Sequence, residues 1–167
     1  REEIERACAE WQQAVDEAAR IWSASRDDVQ ELLVSGALRG KVYRKDRVAS
    51  WCAALDAFLT TASDGVPGAC DKLFRFTTEE LRKNTAQGRT TPEHPLFAAC
   101  DRVCAAEQRF AELAKAWFLG LKRELVDDVR REVERRHEAA NTQSFDDLLY
   151  RLRDALLRPV TGRALAA

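Results

Sequence analysis

At 167 residues the chain is long enough for one domain with a sizeable core. Hydrophobic residues make up 46% and charged residues 33%, while glycine (7) and proline (4) are scarce, a mix that favours a soluble, helix-rich fold over a β-sheet protein. The formal net charge of −1 excludes a whole-molecule field that would steer the chain onto DNA or an acidic membrane, so any nucleic-acid contact must fall to a local patch.

Residues 2–24 place apolar side chains at Ile4, Cys8, Trp11, Val15, Ala18 and Trp22, at alternating spacings of four and three. That seam predicts a long amphipathic helix packed on neighbours within the domain. Ser25 with Asp28 resembles a capping box and starts a short helix through Val29, Leu32 and Leu33, which Gly36 ends. Gly36 to Asp46 reads as a loop. A helix from about Arg47 to Thr61 sets Val48, Trp51, Cys52, Leu55, Phe58 and Leu59 on one stripe, and the Asp64–Gly68 run is a turn. Cys70, Leu73 and Phe74 suggest a further helical turn, and Thr77 with Glu80 caps a short helix through Leu81.

Residues 84–95 form the clearest loop in the chain. The longest helical pattern then runs from Leu96 to about Ala139, with Phe97, Cys100, Cys104, Phe110, Leu113, Trp117, Leu121, Leu125 and Val129 on its stripe. Unbroken, it spans about 65 Å at ~1.5 Å per residue; breaks at Ala105–Gln108 or Gly120 are open alternatives. From Arg130 the pattern turns mostly charged and is expected to face solvent or another domain. A last helix has Ser144 as its cap and Asp146 and Asp147 in its first turn. Phe145, Leu148, Leu149, Leu152, Leu156 and Leu157 form its apolar side, and Pro159 stops it. Thr161–Ala167 looks like the first turn of another helix. No segment alternates strictly with period two. The expected fold is therefore all-α: an irregular bundle of about six helices including one or two long ones, with no sheet, and residues 1–167 forming a single helical domain. With no methionine, a start at Arg1 in mid-helix and an end at Ala167, the chain is expected to be a piece of a larger protein.

Cys8, Cys52, Cys70, Cys100 and Cys104 contain no C-x-x-C pair, and neither His94 nor His137 sits at ligand spacing from a cysteine. Cys100 and Cys104, four apart, share one helix face and read as small apolar core residues. This reduced, metal-free pattern points to the cytoplasm. No apolar run approaches the roughly 18 residues of a membrane span.

Three groups of residues bear on chemistry. Arg39, Lys41, Arg44, Lys45 and Arg47 oppose a single acid, Asp46, for a local charge of +4. Such a loop can neutralise phosphates while Tyr43 packs on a sugar or base, or it is simply a solvated surface loop. Asp146 and Asp147 have the chemistry of a Mg²⁺-binding or acid–base pair, but their place behind a capping serine suits a helix start better. The arginines of 130–136 interleave with Glu132 and Glu134 at helical spacing, as on a salt-bridged exposed face. No phosphate loop, G-x-G-x-x-G or nucleophile–base constellation is present, so no active site is expected within the chain.

The run Gly88–Phe97 (Gly-Arg-Thr-Thr-Pro-Glu-His-Pro-Leu-Phe) resembles the exodeoxyribonuclease V beta (RecB) family. Ser144–Leu152 (Ser-Phe-Asp-Asp-Leu-Leu-Tyr-Arg-Leu) is similar to a segment of that family and of UvrD/Rep helicases, where it lies shortly before the strand carrying the Walker B acids. The order of elements also fits. The resemblance implies a parent that is an ATP-dependent DNA helicase and nuclease, acting with RecC- and RecD-like subunits in double-strand-break repair. This chain would be the helical insertion of its first motor domain, the 1B arm. ATP and Mg²⁺ are expected for the parent and no cofactor for this piece, because the family's phosphate loop would lie upstream of Arg1 and its Walker B pair, arginine finger and nuclease domain beyond Ala167. The arm of relatives touches duplex DNA, which implies Arg39, Lys41, Tyr43, Arg44, Lys45 and Arg47 as weak, sequence-independent DNA contacts. The alternative, from another class, is a helical module that docks partner proteins through the heptad seam or the charged 130–137 stretch.

Overall fold

A computed structural model describes residues 2–62, 70–140 and 145–157, apart from the side chains of Asp146 and Asp147. Five α-helices occur among these residues: α1 (Glu2–Val34), α2 (Lys45–Thr61), α3 (Thr78–Lys83), α4 (Pro95–Ala139) and α5 (Phe145–Leu157), with a 3-10 turn at Leu73–Phe76. The fold is all-α. The described residues include no strand, and the one β-type pairing among them is an isolated antiparallel bridge between Leu38 and Thr85. The chain divides into two compact units, residues 1–117 and 118–167.

In the first unit α1 carries both of the expected N-terminal helices. Ser25 leaves helical geometry (φ −138°, ψ 20°), so the element kinks there, and its Oγ donates to the Ile21 carbonyl at 2.7 Å. Trp11, Val15, Ala18 and Trp22 of the seam are buried, joined by Ala7 and Ala14, while Ile4 and Cys8 are half-buried. Gly36 sits at φ +83°, the left-handed position that ends a helix with least strain. All six residues of the α2 stripe are buried, and Trp11 meets Phe58 edge-on at 6.4 Å. Thr77 caps α3 by accepting from the Glu80 amide. One residue was misplaced by pattern alone: Phe74 is 43% exposed, and Phe76 fills the core instead, because a 3-10 turn sets i and i+3 (Leu73 and Phe76) on one side.

α4 begins on a local device. The His94 Nδ1 accepts the Leu96 amide at 3.1 Å, Pro95 takes the first helical position, and Leu96 and Phe97 go directly into the core. Neither Ala105–Gln108 nor Gly120 interrupts the helix. Its early residues Ala99, Cys100 and Val103 complete the core, and Arg102 and Arg109 pair with Glu17 and Glu10 of α1.

The expected apolar stripe of α4 does not continue as core. No described residue after Val103 is buried. In the second unit Leu121, Leu125 and Val129 of α4 are exposed, as are Phe145, Leu148, Leu149, Leu152, Leu156 and Leu157 of α5. The helical period alone cannot tell a packed stripe from an uncovered one. The Asp64–Gly68 turn, the Ser144 cap and the Thr161–Ala167 turn lie outside the described residues.

Candidate functional site

The basic loop is a fixed structure hung from the core. Leu38 and Tyr43 are its buried anchors, both 3% exposed. Between them Val42 and Tyr43 donate backbone hydrogen bonds to the Arg39 carbonyl at 2.9 and 3.0 Å, closing a tight turn. On its outer side the loop is stapled to residues 84–86. The Arg39 amide donates to the Asn84 carbonyl at 2.8 Å, the Ala86 amide donates to the Ala37 carbonyl at 2.9 Å, and the Leu38–Thr85 bridge lies between them. Satisfying these backbone groups within the protein removes the freedom that the connection between α1 and α2 would otherwise keep.

Arg39, Lys41, Arg44, Lys45 and Arg47 are all exposed, but the expected loop to Asp46 is shorter: α2 begins at Lys45, so Lys45 and Arg47 stand in its first turn and only Arg39, Lys41 and Arg44 lie on the loop itself. The Arg44 Nε lies 3.1 Å from the Asp46 Oδ1, and the Arg47 Nη1 donates to the Lys41 carbonyl at 3.4 Å. Arg39, Lys41, Lys45 and Arg47 make no ion pair with another described residue.

Tyr43 is placed differently from its expected role. Its ring is buried edge-on against Trp51 at 5.3 Å, and its hydroxyl donates to the Arg75 carbonyl at 2.9 Å. Burial pushes its phenol well above the ordinary value. The Arg75 guanidinium in turn lies over the Trp51 ring at 5.2 Å and pairs with Glu80. A buried ring with its hydroxyl already engaged cannot stack on a base, so Tyr43 is the anchor of the loop rather than its contact surface.

The structure also adds residues that sequence reasoning missed. Through the staple, the exposed Arg82, Lys83 and Arg89 flank the segment on which the basic loop rests. Lys83 is held 2.6 Å from Glu79, whereas Arg82 and Arg89 pair with no described acid. Nothing in local spacing signals this, because the two loops are some 45 residues apart in the chain.

The remaining candidates resolve into structural roles or fall outside the described parts. Arg131 pairs with Asp128, and Arg135 and Arg136 share Glu132, forming the exposed salt-bridged face expected there. The side chains of Asp146 and Asp147 are not described. No group of three metal-ligating side chains occurs among the described residues. Burial pushes the Cys52 and Cys104 thiols up to about 11, away from the reactive thiolate. No helix among the described residues is long and apolar enough to cross a membrane. Trp11 and Trp22 are core residues, Trp22 being tied to Asp56 by an indole hydrogen bond of 2.6 Å. The heptad seam is therefore spent inside the first unit and is not a docking face.

Fold and site together define an all-α chain that presents a rigid, exposed basic loop. In sequence it is similar to the RecBCD enzyme subunit RecB of Escherichia coli (strain K12), at 30% identity over 155 residues. That match covers 92% of this chain but only 12% of the length of RecB, so the chain corresponds to a small part of that protein. No protein-family model matches the chain.

Proposed function

We propose that the chain is a DNA-contacting accessory arm, the helical 1B insertion of the first motor domain in a RecB-like, ATP-dependent helicase–nuclease of double-strand-break repair. RecC- and RecD-like subunits would be partners of the full parent, and ATP and Mg²⁺ would be bound elsewhere in it. The likeness to RecB along 92% of the chain carries this reading. The rigid loop supports its DNA-contacting part, since four exposed and unpaired cations on a fixed backbone meet phosphates with little ordering cost.

The test is fluorescence anisotropy of a labelled duplex titrated with the chain across a salt series. Four to five neutralised phosphates give a slope of log affinity against log salt of about −4, with no dependence on base sequence. K41E/R44E/K45E should weaken binding and flatten that slope. Binding unchanged by the triple substitution would remove the loop from the DNA-contacting role.

A second reading, protein–protein docking, is favoured by one observation. Phe118, Leu121, Leu125 and the large apolar residues of α5 are all exposed, well beyond what scattered surface hydrophobics explain. It attaches to the exposed residues of 118–140 and 145–157 and not to the heptad seam.

A further inference from the structure

The contact surface does not stop at the basic loop. We infer that Arg82, in the last turn of α3, and Arg89, on the loop that follows α3 and is stapled against the basic loop, take further phosphates of the same duplex, so that the nucleic acid is held by a two-loop face. This inference rests on the DNA-contacting reading above and extends it to Arg82, outside the basic run and both resembling segments, and to Arg89, which lies in the Gly88–Phe97 run but is given no DNA contact by the resemblance.

Three observations carry it. The staple fixes the second loop relative to the first: Arg39 is bonded through its amide to Asn84, two residues from Arg82, and Ala37 through its carbonyl to Ala86, three residues from Arg89. Next, α3 is held at both ends, by the Thr77 cap and by Leu81 buried at 0% exposure, so Arg82 leaves a fixed helical turn and not a mobile tail. Finally, Arg82 and Arg89 are exposed and unpaired with any described acid, whereas the neighbouring Lys83, Arg44 and Arg75 are each engaged by a carboxylate. Exposed arginines with no carboxylate partner are placed for an external anion.

Arg82 also opens onto a groove shared with Thr90, Thr91, Glu93 and His94. The two threonines supply hydroxyl donors of the kind that fix phosphate oxygens, although the Thr91 hydroxyl already bonds that of Thr85 at 2.8 Å. Glu93, exposed in the same groove, opposes an anion there. Its removal is therefore an internal control of opposite sign.

The experiment uses the full 167-residue chain, the labelled duplex and the salt series, with R82E/R89E, K41E/R44E/K45E and E93Q compared with the parent sequence. R82E/R89E should flatten the log–log slope by about 2, for two phosphates lost at a slope of ~0.9 each, with the thermal transition unchanged. E93Q should tighten binding at low salt. If R82E/R89E leaves slope and affinity unchanged while the loop triple variant flattens them, the second loop is not a contact and the basic-loop reading alone survives. If neither set alters binding, the DNA-contacting reading itself fails. If only R82E/R89E alters it, the two-loop face is overturned in favour of a contact confined to the second loop.

Discussion

Tyr43 and Asp56 show how single side chains fix the arrangement on which the candidate site depends. Tyr43 joins the basic loop to the 3-10 turn through the Arg75 carbonyl. Tyr43→Phe keeps the ring in its slot but leaves that carbonyl without its donor. The expected cost is about 1 kcal/mol in urea or thermal denaturation, with duplex affinity unchanged. A loss of affinity without a loss of stability would return Tyr43 to the contact surface. Asp56 links α2 to α1. It accepts from Trp22, and from Arg26 through Nε and Nη2 at 3.1 and 3.0 Å. The Arg26 hydrogen bonds hold its carboxyl below the ordinary range; burial opposes this, and the Trp22 indole adds to the lowering.

A carboxyl depressed in the folded state contributes stability above its unfolded pKa and loses it as pH falls through the folded value. Both Asp56 and Arg26 are about two-fifths exposed, so solvent screening keeps the pair near ~1 kcal/mol. Asp56→Asn should thus be less stable than the parent at neutral pH. That gap should close as the pH is lowered below about 4, where the parent's carboxylate takes up its proton. A gap constant from neutral pH to pH 2 would show that the ionised form of Asp56 contributes nothing.

Among the elements, those governed by local rules were readable in the sequence. The 2–24 seam, the α2 stripe, the Thr77 cap and the Gly36 stop each follow from neighbours within one or two turns, and each is present. Even the Ser25 kink was marked, as the junction of two helices. What was illegible is what depends on distant partners. Phe74 and Phe76 both lie in an apolar run, and only the 3-10 geometry decides which one is buried. The basic character of the 39–47 loop was legible, but its stapling to residues 84–86 was not, since backbone-to-backbone bonds leave no side-chain signature. For the same reason Tyr43 reads as an exposed aromatic among cations until the Arg75 carbonyl and the Trp51 ring are seen around it. The Pro-x-His-Pro run sits between these cases. It reads as a helix start from sequence, and the structure adds that His94 itself supplies the cap.

At the scale of the whole molecule the two units differ in what stabilises them. The first contains every buried apolar residue among those described, from Ala7 to Val103. The described residues of the second lie in helical segments whose large side chains are open to water, among them Leu125 at 62%, Phe145 at 74% and Leu157 at 75% exposure. Each such side chain forgoes the roughly 1.5–3 kcal/mol that full burial would contribute. A 13-residue helix such as α5 without packing is marginal in water, because nucleation is costly and propagation adds little per residue. Hydrogen exchange on the isolated chain should therefore separate the units. Amides near Trp11, Leu55 and Cys100 should be protected to the level of global unfolding, and those of 145–157 should exchange within a small factor of the unstructured rate. A solvatochromic dye such as ANS should bind the chain, and L121E/L125E should reduce its fluorescence without lowering the main thermal transition. Slow exchange at 145–157 in a monomeric chain would contradict this, because it requires a cover for faces that are exposed among the described residues. Protection that arises only on adding a partner protein would instead support docking through the exposed residues of 118–140 and 145–157.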